Sequence, residues 1–302
     1  MSTWLGLAVF AQFLFAVSVL VDKHIVLHKE HIGKPVVYAF YVSLLSGFVI
    51  VLAPFGFVSL PSLLVLAYSL VSAITFLVAI YFLYSALSIA FASDVAPVVG
   101  AVSAISTLVL AAIWIDGDVT GFLVLPVALL ISGTALISHF HFTRRALLFV
   151  VSSGAMFGVT VFLSKLIFIE TNFIDGVFWT RMMNVVVALF LLLIPSIQLA
   201  IFTGGRHSSH GAKFLVIGNK IVAGSASVLT AFAVSLGSVS VVNSLAGLQF
   251  VFLFALTYLL SKSMPGPSKN TSHIHVGFLH TAIGVVLIVL GLALLYAGHI
   301  NA

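Results

Sequence analysis

Apolar residues occupy successive positions over stretches of twenty or more, and the breaks between them fall at Pro, Gly and charged clusters. An amphipathic surface helix would show a polar stripe every third or fourth residue, and a lipid-facing barrel strand would alternate apolar and polar in segments of about ten. Stretches such as 107–113 and 283–295 do neither, being apolar position after position, so a transmembrane barrel is excluded. Each crossing of a hydrocarbon core needs about 20 apolar residues. The breaks then predict ten spans, at 3–22, 36–56, 62–86, 94–115, 121–140, 146–167, 177–199, 213–235, 242–261 and 278–298. Most connections are short. The two longest, 204–213 and 262–276, are rich in Gly, Ser, His and Lys, the second containing Pro265-Gly266-Pro267, and are expected to be mobile loops that do not separate domains.

Composition sharpens this into a class. With 62% hydrophobic and 6% charged residues in 302, and a mean hydropathy of +1.31, the chain is an all-α polytopic membrane protein with no room for a soluble domain. The first apolar run ends in Asp22-Lys23-His24 and is not preceded by a basic residue, so it reads as a retained helix rather than a cleaved signal. Cysteine is absent, which removes disulfides and thiolate chemistry. The net charge of +5 fits membrane orientation rather than nucleic-acid binding.

The chain also resembles itself. Residues 15–25 (FAVSVLVDKHI) lie over 157–167 (FGVTVFLSKLI), bringing Lys23 onto Lys165. Residues 86–100 lie over 233–247 with five identities in fifteen, and 131–137 lie over 289–295, bringing Gly133 onto Gly291. The three blocks keep their order. Because each half holds an odd number of spans, the second copy enters the membrane from the opposite side, an inverted repeat of the kind found in secondary transporters.

On these features, together with Tyr84-x-Ala86-Leu87 through Ala92-Ser93 to Pro97, the chain resembles the EamA-type transporters of the drug/metabolite transporter superfamily. The resemblance covers nearly the whole chain. It departs where the family carries a Gly-Glu-Arg-like turn, here Asp116-Gly117-Asp118, with Ser261-Lys262 at the equivalent point of the second half. It implies ten transmembrane helices as two inverted five-helix repeats, 1–143 and 144–302, and alternating-access movement of a small metabolite. No cofactor, ATPase or enzymatic activity is implied. The pathway would be lined by the first, third, fourth, sixth, eighth and ninth spans, in a monomer or homodimer of the plasma (inner) membrane.

Polar groups inside spans need a reason, since a charge there costs about 2.5–3.5 kcal/mol on insertion scales. Gln12, Gln249, Asn184, Arg181 and Lys220 are the substrate-cavity candidates. Each has a plainer alternative: Gln and Asn bond neighbouring helices, and Arg and Lys reach back to the interface. The resemblance adds that the family often carries Arg at the position of Arg181. Lys23 and Lys165, at equivalent ends of the two halves, are gate candidates or interfacial anchors. No carboxylate falls squarely mid-span, which leaves a buried proton relay poorly supported.

Glycines at 100, 133, 154, 158, 247 and 291 are expected to let helices approach closely, and Ser103, Ser106, Thr107, Ser225, Ser227 and Thr230 to hydrogen-bond between or within them. The turns at 93–97 and 240–244 offer free amides that suit an anion or an ordinary helix cap. His24, His28 and His31, spaced i, i+4, i+7, could share a metal on a helix; with the pairs 139/141, 207/210 and 273/275 they are otherwise solvated loop residues. Three functional classes therefore stand: a transporter of a small molecule, a histidine-dependent metal-binding protein or intramembrane enzyme, and a non-transporting receptor.

Orientation follows from charge. Lys23, Lys29, Lys34, Arg144, Arg145, Arg206, Lys213, Lys262 and Lys269 share one side, against Lys165 on the other. The positive-inside rule makes the first side cytoplasmic and both termini external, whereas the family resemblance implies both termini inside.

Overall fold

A computed structural model describes residues 3–27, 35–55, 57–90, 92–118, 121–137, 142–203, 210–261 and 274–300. Among them all regular structure is helical, with no strand. The helices are α1 (Thr3–Leu27), α2 (Pro35–Leu45), α3 (Leu63–Leu87), α4 (Ala92–Trp114), α5 (Gly121–Ile137), α6 (Arg144–Glu170), α7 (Phe173–Phe190), α8 (Pro195–Thr203), α9 (His210–Leu236), α10 (Val239–Ser244), α11 (Leu248–Ser261) and α12 (Ile274–Ile300). Six spans among the described residues, in α1, α3, α4, α6, α7 and α9, are long and apolar enough to cross a bilayer, and four shorter apolar helical stretches accompany them. The chain is an integral membrane protein.

Burial is arranged for lipid. Large apolar side chains lie outside, Leu60 at 94% exposure and Phe48 at 83%, while Ala, Val and Ser dominate the buried positions. Lipid tails are as apolar as Leu, so helix association depends on close packing and polar seams rather than on hiding greasy surface from water. Gly158 of α6 illustrates this. A Cβ there would sit 2.7 Å from the Ser103 carbonyl of α4, and that close approach lets Thr107 Oγ1 donate to the Gly158 carbonyl at 3.1 Å. The α5–α12 seam uses Gly133 against Gly284: each added Cβ would meet the other's carbonyl, at 2.6 and 2.7 Å.

The heaviest packing joins α3 to α6, α5 to α12, α1 to α9 and α4 to α6, with α3 to α7 and α1 to α11 next. Buried polar bonds pin these pairs. Ser153 Oγ donates to the Ala79 carbonyl at 2.9 Å across α6–α3, and Asn219 Nδ2 donates to the Ser18 carbonyl at 3.1 Å across α9–α1.

Three expected spans are interrupted, the second because α2 ends at Leu45 and Ser46–Phe55 is a 3-10 helix. The seventh begins at Phe173, four residues before the expected boundary at 177, because Asn172 caps it: its Oδ1 accepts from Asp175 N at 2.9 Å while its Nδ2 donates to Asp175 Oδ2 at 2.7 Å. It then tightens into a 3-10 turn, Leu191–Leu193, and Ile194 is extended before α8 starts at Pro195. Proline drives its predecessor out of the helical region yet suits the first position of a helix, so Ile194-Pro195 both ends one helix and opens the next. The ninth span starts at Val239, not 242, capped by Ser238 Oγ accepting from Val241 N at 3.2 Å, and Leu245–Gly247 form a 3-10 turn between α10 and α11. The ends of both expected long loops are helical, since α9 begins at His210 and α12 at Ile274.

Candidate functional site

A cavity of about 180 Å³ lies among α1, α3, α6, α7 and α9. Its lining repeats with helical periodicity. On α6 it takes Phe157, Thr160, Val161, Ser164 and Phe168; on α7, Val177, Thr180, Arg181 and Asn184; on α9, Ser227, Thr230, Ala231 and Val234. Phe15 of α1 and Ser72 and Phe76 of α3 complete it. Spacings of three and four put each set on one helix face, so three faces converge on one space.

Arg181 carries the charge of this space. Its guanidinium donates from Nη2 to Ser227 Oγ at 2.5 Å, tying α7 to α9, and no carboxylate pairs with it among the described residues. With α7 beginning at Phe173, Arg181 sits eight residues in, about 12 Å along the axis at 1.5 Å per residue. Asn184, one turn further, is 3% exposed and its Oδ1 has no hydrogen-bond partner among the described residues; the same holds for the fully buried Ser72 Oγ. Other hydroxyls turn back on their own helices: Thr180 Oγ1 donates to the Gly176 carbonyl at 2.6 Å, Ser164 Oγ to Thr160 at 2.9 Å and Thr230 Oγ1 to Ala226 at 2.9 Å. Their oxygens remain available as acceptors. The rest of the wall is aromatic, with Phe76 and Phe157 packed edge to face at 6.1 Å between ring centres.

Of the five cavity candidates, Arg181 and Asn184 line this space. Gln12 is buried in α1, while Gln249 in α11 and Lys220 in α9 are half-buried; none of the three lines it. The fourth and ninth spans expected along the pathway do not contribute, and the seventh does. Lys165 lies near the end of α6, its Nζ donating to the Val234 and Gly237 carbonyls at 3.0 and 2.8 Å. These are end groups of α9, where a cation complements the helix dipole. The side chains of Lys23 and His24, and residues His28 and His31, lie outside the described residues. Among the described residues no group of three His, Asp or Glu is placed to hold a metal.

The polar and aromatic residues missed from the sequence are the hydroxyls of α3 and α6, Thr180 of α7 and the four phenylalanines. Their signal was there, in Thr160 and Ser164 at i, i+4 beside Phe157 and Phe168, but helices this apolar all round offer no polar face to set it against.

Beside the cavity, Asp118 performs a second electrostatic task. It follows Gly117, whose φ of 78° makes the turn out of α4. The carboxylate accepts from Val239 N at 2.9 Å, Ser240 N at 3.2 Å, Ser240 Oγ at 2.6 Å and Ser238 Oγ at 3.1 Å. Of the amides expected to suit an anion at 240–244, only Ser240 N meets this carboxylate; the other amide it binds, Val239 N, lies just before that stretch, with Ser238 capping alongside. A smaller cavity of about 90 Å³, lined by Trp4, Leu5, Phe122, Leu123, Ser238, Val241 and Leu295, lies at this end and holds no charged side chain.

No family model and no curated protein matches the chain. Solved structures do: a crystal structure whose description names no activity is 16% identical, with a TM-score of 0.67, covering 97% of this chain and 96% of its own. At that identity the likeness concerns the fold alone, over essentially its whole length.

Proposed function

We propose that the chain is a secondary transporter of a small metabolite, working by alternating access between two inverted five-helix units, 1–143 and 144–302, in the manner of the EamA-type proteins it resembles. The exchange of partners between the halves carries this reading. α1 packs on α9 and α11, and α6 packs on α3 and α4. If α1 corresponds to α6, α3 to α9 and α4 to α10–α11, these are one interaction made twice, with α5 on α12 as the self-paired seam.

Polar contacts across the two helix pairs fall near corresponding positions. Aligning 15–25 with 157–167 brings Ser18 onto Thr160, and aligning 86–100 with 233–247 brings Ser72 onto Asn219. Asn219 bonds the Ser18 carbonyl at 3.1 Å, and Thr160 bonds Thr75, one turn from Ser72, at 2.9 Å. On this reading the four shorter apolar stretches would cross along with the six long helices, making ten crossings. A cavity at the junction of the halves suits a carrier, and movement would draw on a solute gradient in the plasma membrane.

Purified protein in sealed vesicles tests this. Gradient-dependent entry or exit of at least one solute from a broad panel is expected, at a rate well above that of empty vesicles. A panel that shows saturable binding and never movement would overturn transport in favour of a receptor.

A further inference from the structure

We infer, resting on the transporter reading, that the substrate is a small organic anion, a monocarboxylate with a hydroxyl donor and an apolar body, held by Arg181 and Asn184. Charge decides the first part. Arg181 places a permanent cation in a membrane-spanning helix, no carboxylate lines its cavity among the described residues, and the nearby described acids are already engaged. Asp175, six residues earlier, accepts from Ser59 N at 2.8 Å and from Asn172, and Asp118 holds the start of α10. A guanidinium has five N–H donors in a fork that matches a carboxylate, and Ser227 takes one. A ligand carboxylate would supply the missing negative charge.

The second part comes from Asn184. Its buried Oδ1 lacks a donor, and the hydroxyl oxygens around it present acceptors. A ligand O–H next to the carboxylate would meet that need. A ligand ammonium could donate as well, but it would return the occupied cavity to net positive charge with no carboxylate facing it, so a hydroxy acid is favoured over its amino-acid counterpart. The phenylalanine wall and the volume of about 180 Å³ set the size of the remainder to a small apolar or aromatic group.

Four compounds of nearly equal shape separate these terms: mandelate, phenylacetate without the hydroxyl, phenylglycine with an ammonium instead, and 1-phenyl-1,2-ethanediol without the carboxylate. Binding to the full-length protein in nanodiscs is read by calorimetry, and flux of the same compounds in vesicles. Mandelate is expected to bind best, phenylacetate ~10-fold more weakly for the buried acceptor left unmet, and the other two more weakly still. Arg181→Gln should abolish mandelate binding, Arg181→Lys should retain part of it, and Asn184→Leu should erase the preference for mandelate over phenylacetate. The ranking on the unaltered protein needs no variant, so misfolding of Arg181→Gln leaves the inference testable.

Preference for the diol or for phenylglycine, or absence of binding by all four, overturns the inference. Flux of the diol or phenylglycine without mandelate would do so while sustaining the transporter reading. Binding of mandelate that depends on Arg181, with no solute ever crossing, would sustain the anion site and overturn transport.

Discussion

Asp118→Ala removes a carboxylate that is 6% exposed and accepts from two backbone amides and two serine hydroxyls. The hydroxyls can rotate to other acceptors, but the amides of Val239 and Ser240 cannot, and both residues are essentially fully buried, at 0% and 1% exposure. Each buried N–H left without a partner costs about 1–3 kcal/mol, so the pair sets an expected loss of about 2–6 kcal/mol. Asp118→Asn keeps one oxygen for Val239 N and turns an NH₂ toward Ser240 N, and should lose about half as much. Asp116 gives an internal control: it lies two residues away in the same turn and is exposed, and Asp116→Ala should stay within about 0.5 kcal/mol. Thermal unfolding of the purified protein in one detergent should therefore rank Asp118→Ala lowest, Asp118→Asn between, and Asp116→Ala level with the unaltered chain. Equal melting temperatures for Asp118→Ala and Asp116→Ala would refute the claim that this carboxylate caps α10.

Three further outcomes are expected. Gly158→Ala should lower the yield and melting temperature of folded protein, because its Cβ would sit 2.7 Å from the Ser103 carbonyl and force α4 from α6, whereas Gly224→Ala, with nothing described within 4 Å, should be neutral or stabilising by up to about 1 kcal/mol; equal effects would contradict the seam. Lys165→Met should cost about 1–2 kcal/mol through the bonds lost to Val234 and Gly237, and an unchanged melting temperature would mean those contacts contribute nothing. A fluorescent protein that matures only in the cytoplasm, fused after Ala302, should stay dark by the charge rule, and bright fluorescence would place both termini inside as the family resemblance implies.

The continuous apolar runs placed every long helix, because once a barrel is excluded only helices satisfy the backbone in lipid. Boundaries failed where a local polar device overrode hydropathy. The seventh span was expected to begin at 177, yet Asn172-x-x-Asp175 is a readable capping box that moves the start to Phe173 and thereby sets Arg181 deeper. The turn at 116–118 was legible and the amides at 240–244 nearly so, but not that Asp118 would meet Val239 N and Ser240 N: a separation of about 121 residues leaves no local trace of the bond between Asp118 and Val239. Arg181 and Asn184 were visible as polar residues in an apolar run, and Gln12 and Gln249 looked equally good. What separates them is which helix faces converge, and a helix apolar on all sides does not announce its inner face.

Both end contacts bear on how a carrier of this design would work. Lys165 binds the last carbonyls of α9 from α6, and Asp118 binds the first amides of α10 from the end of α4, so the α9–α10 corner is held from two sides by ionisable groups. In an inverted repeat, opening one face requires the contacts there to break while their counterparts form on the other. If the halves repeat as proposed, the position equivalent to Lys165 is Lys23, while the point equivalent to the Asp116-Gly117-Asp118 turn carries Ser261-Lys262. If transport proceeds as proposed, the Asp118 contacts must break for the α9–α10 corner to open, and they favour the state in which that corner is closed.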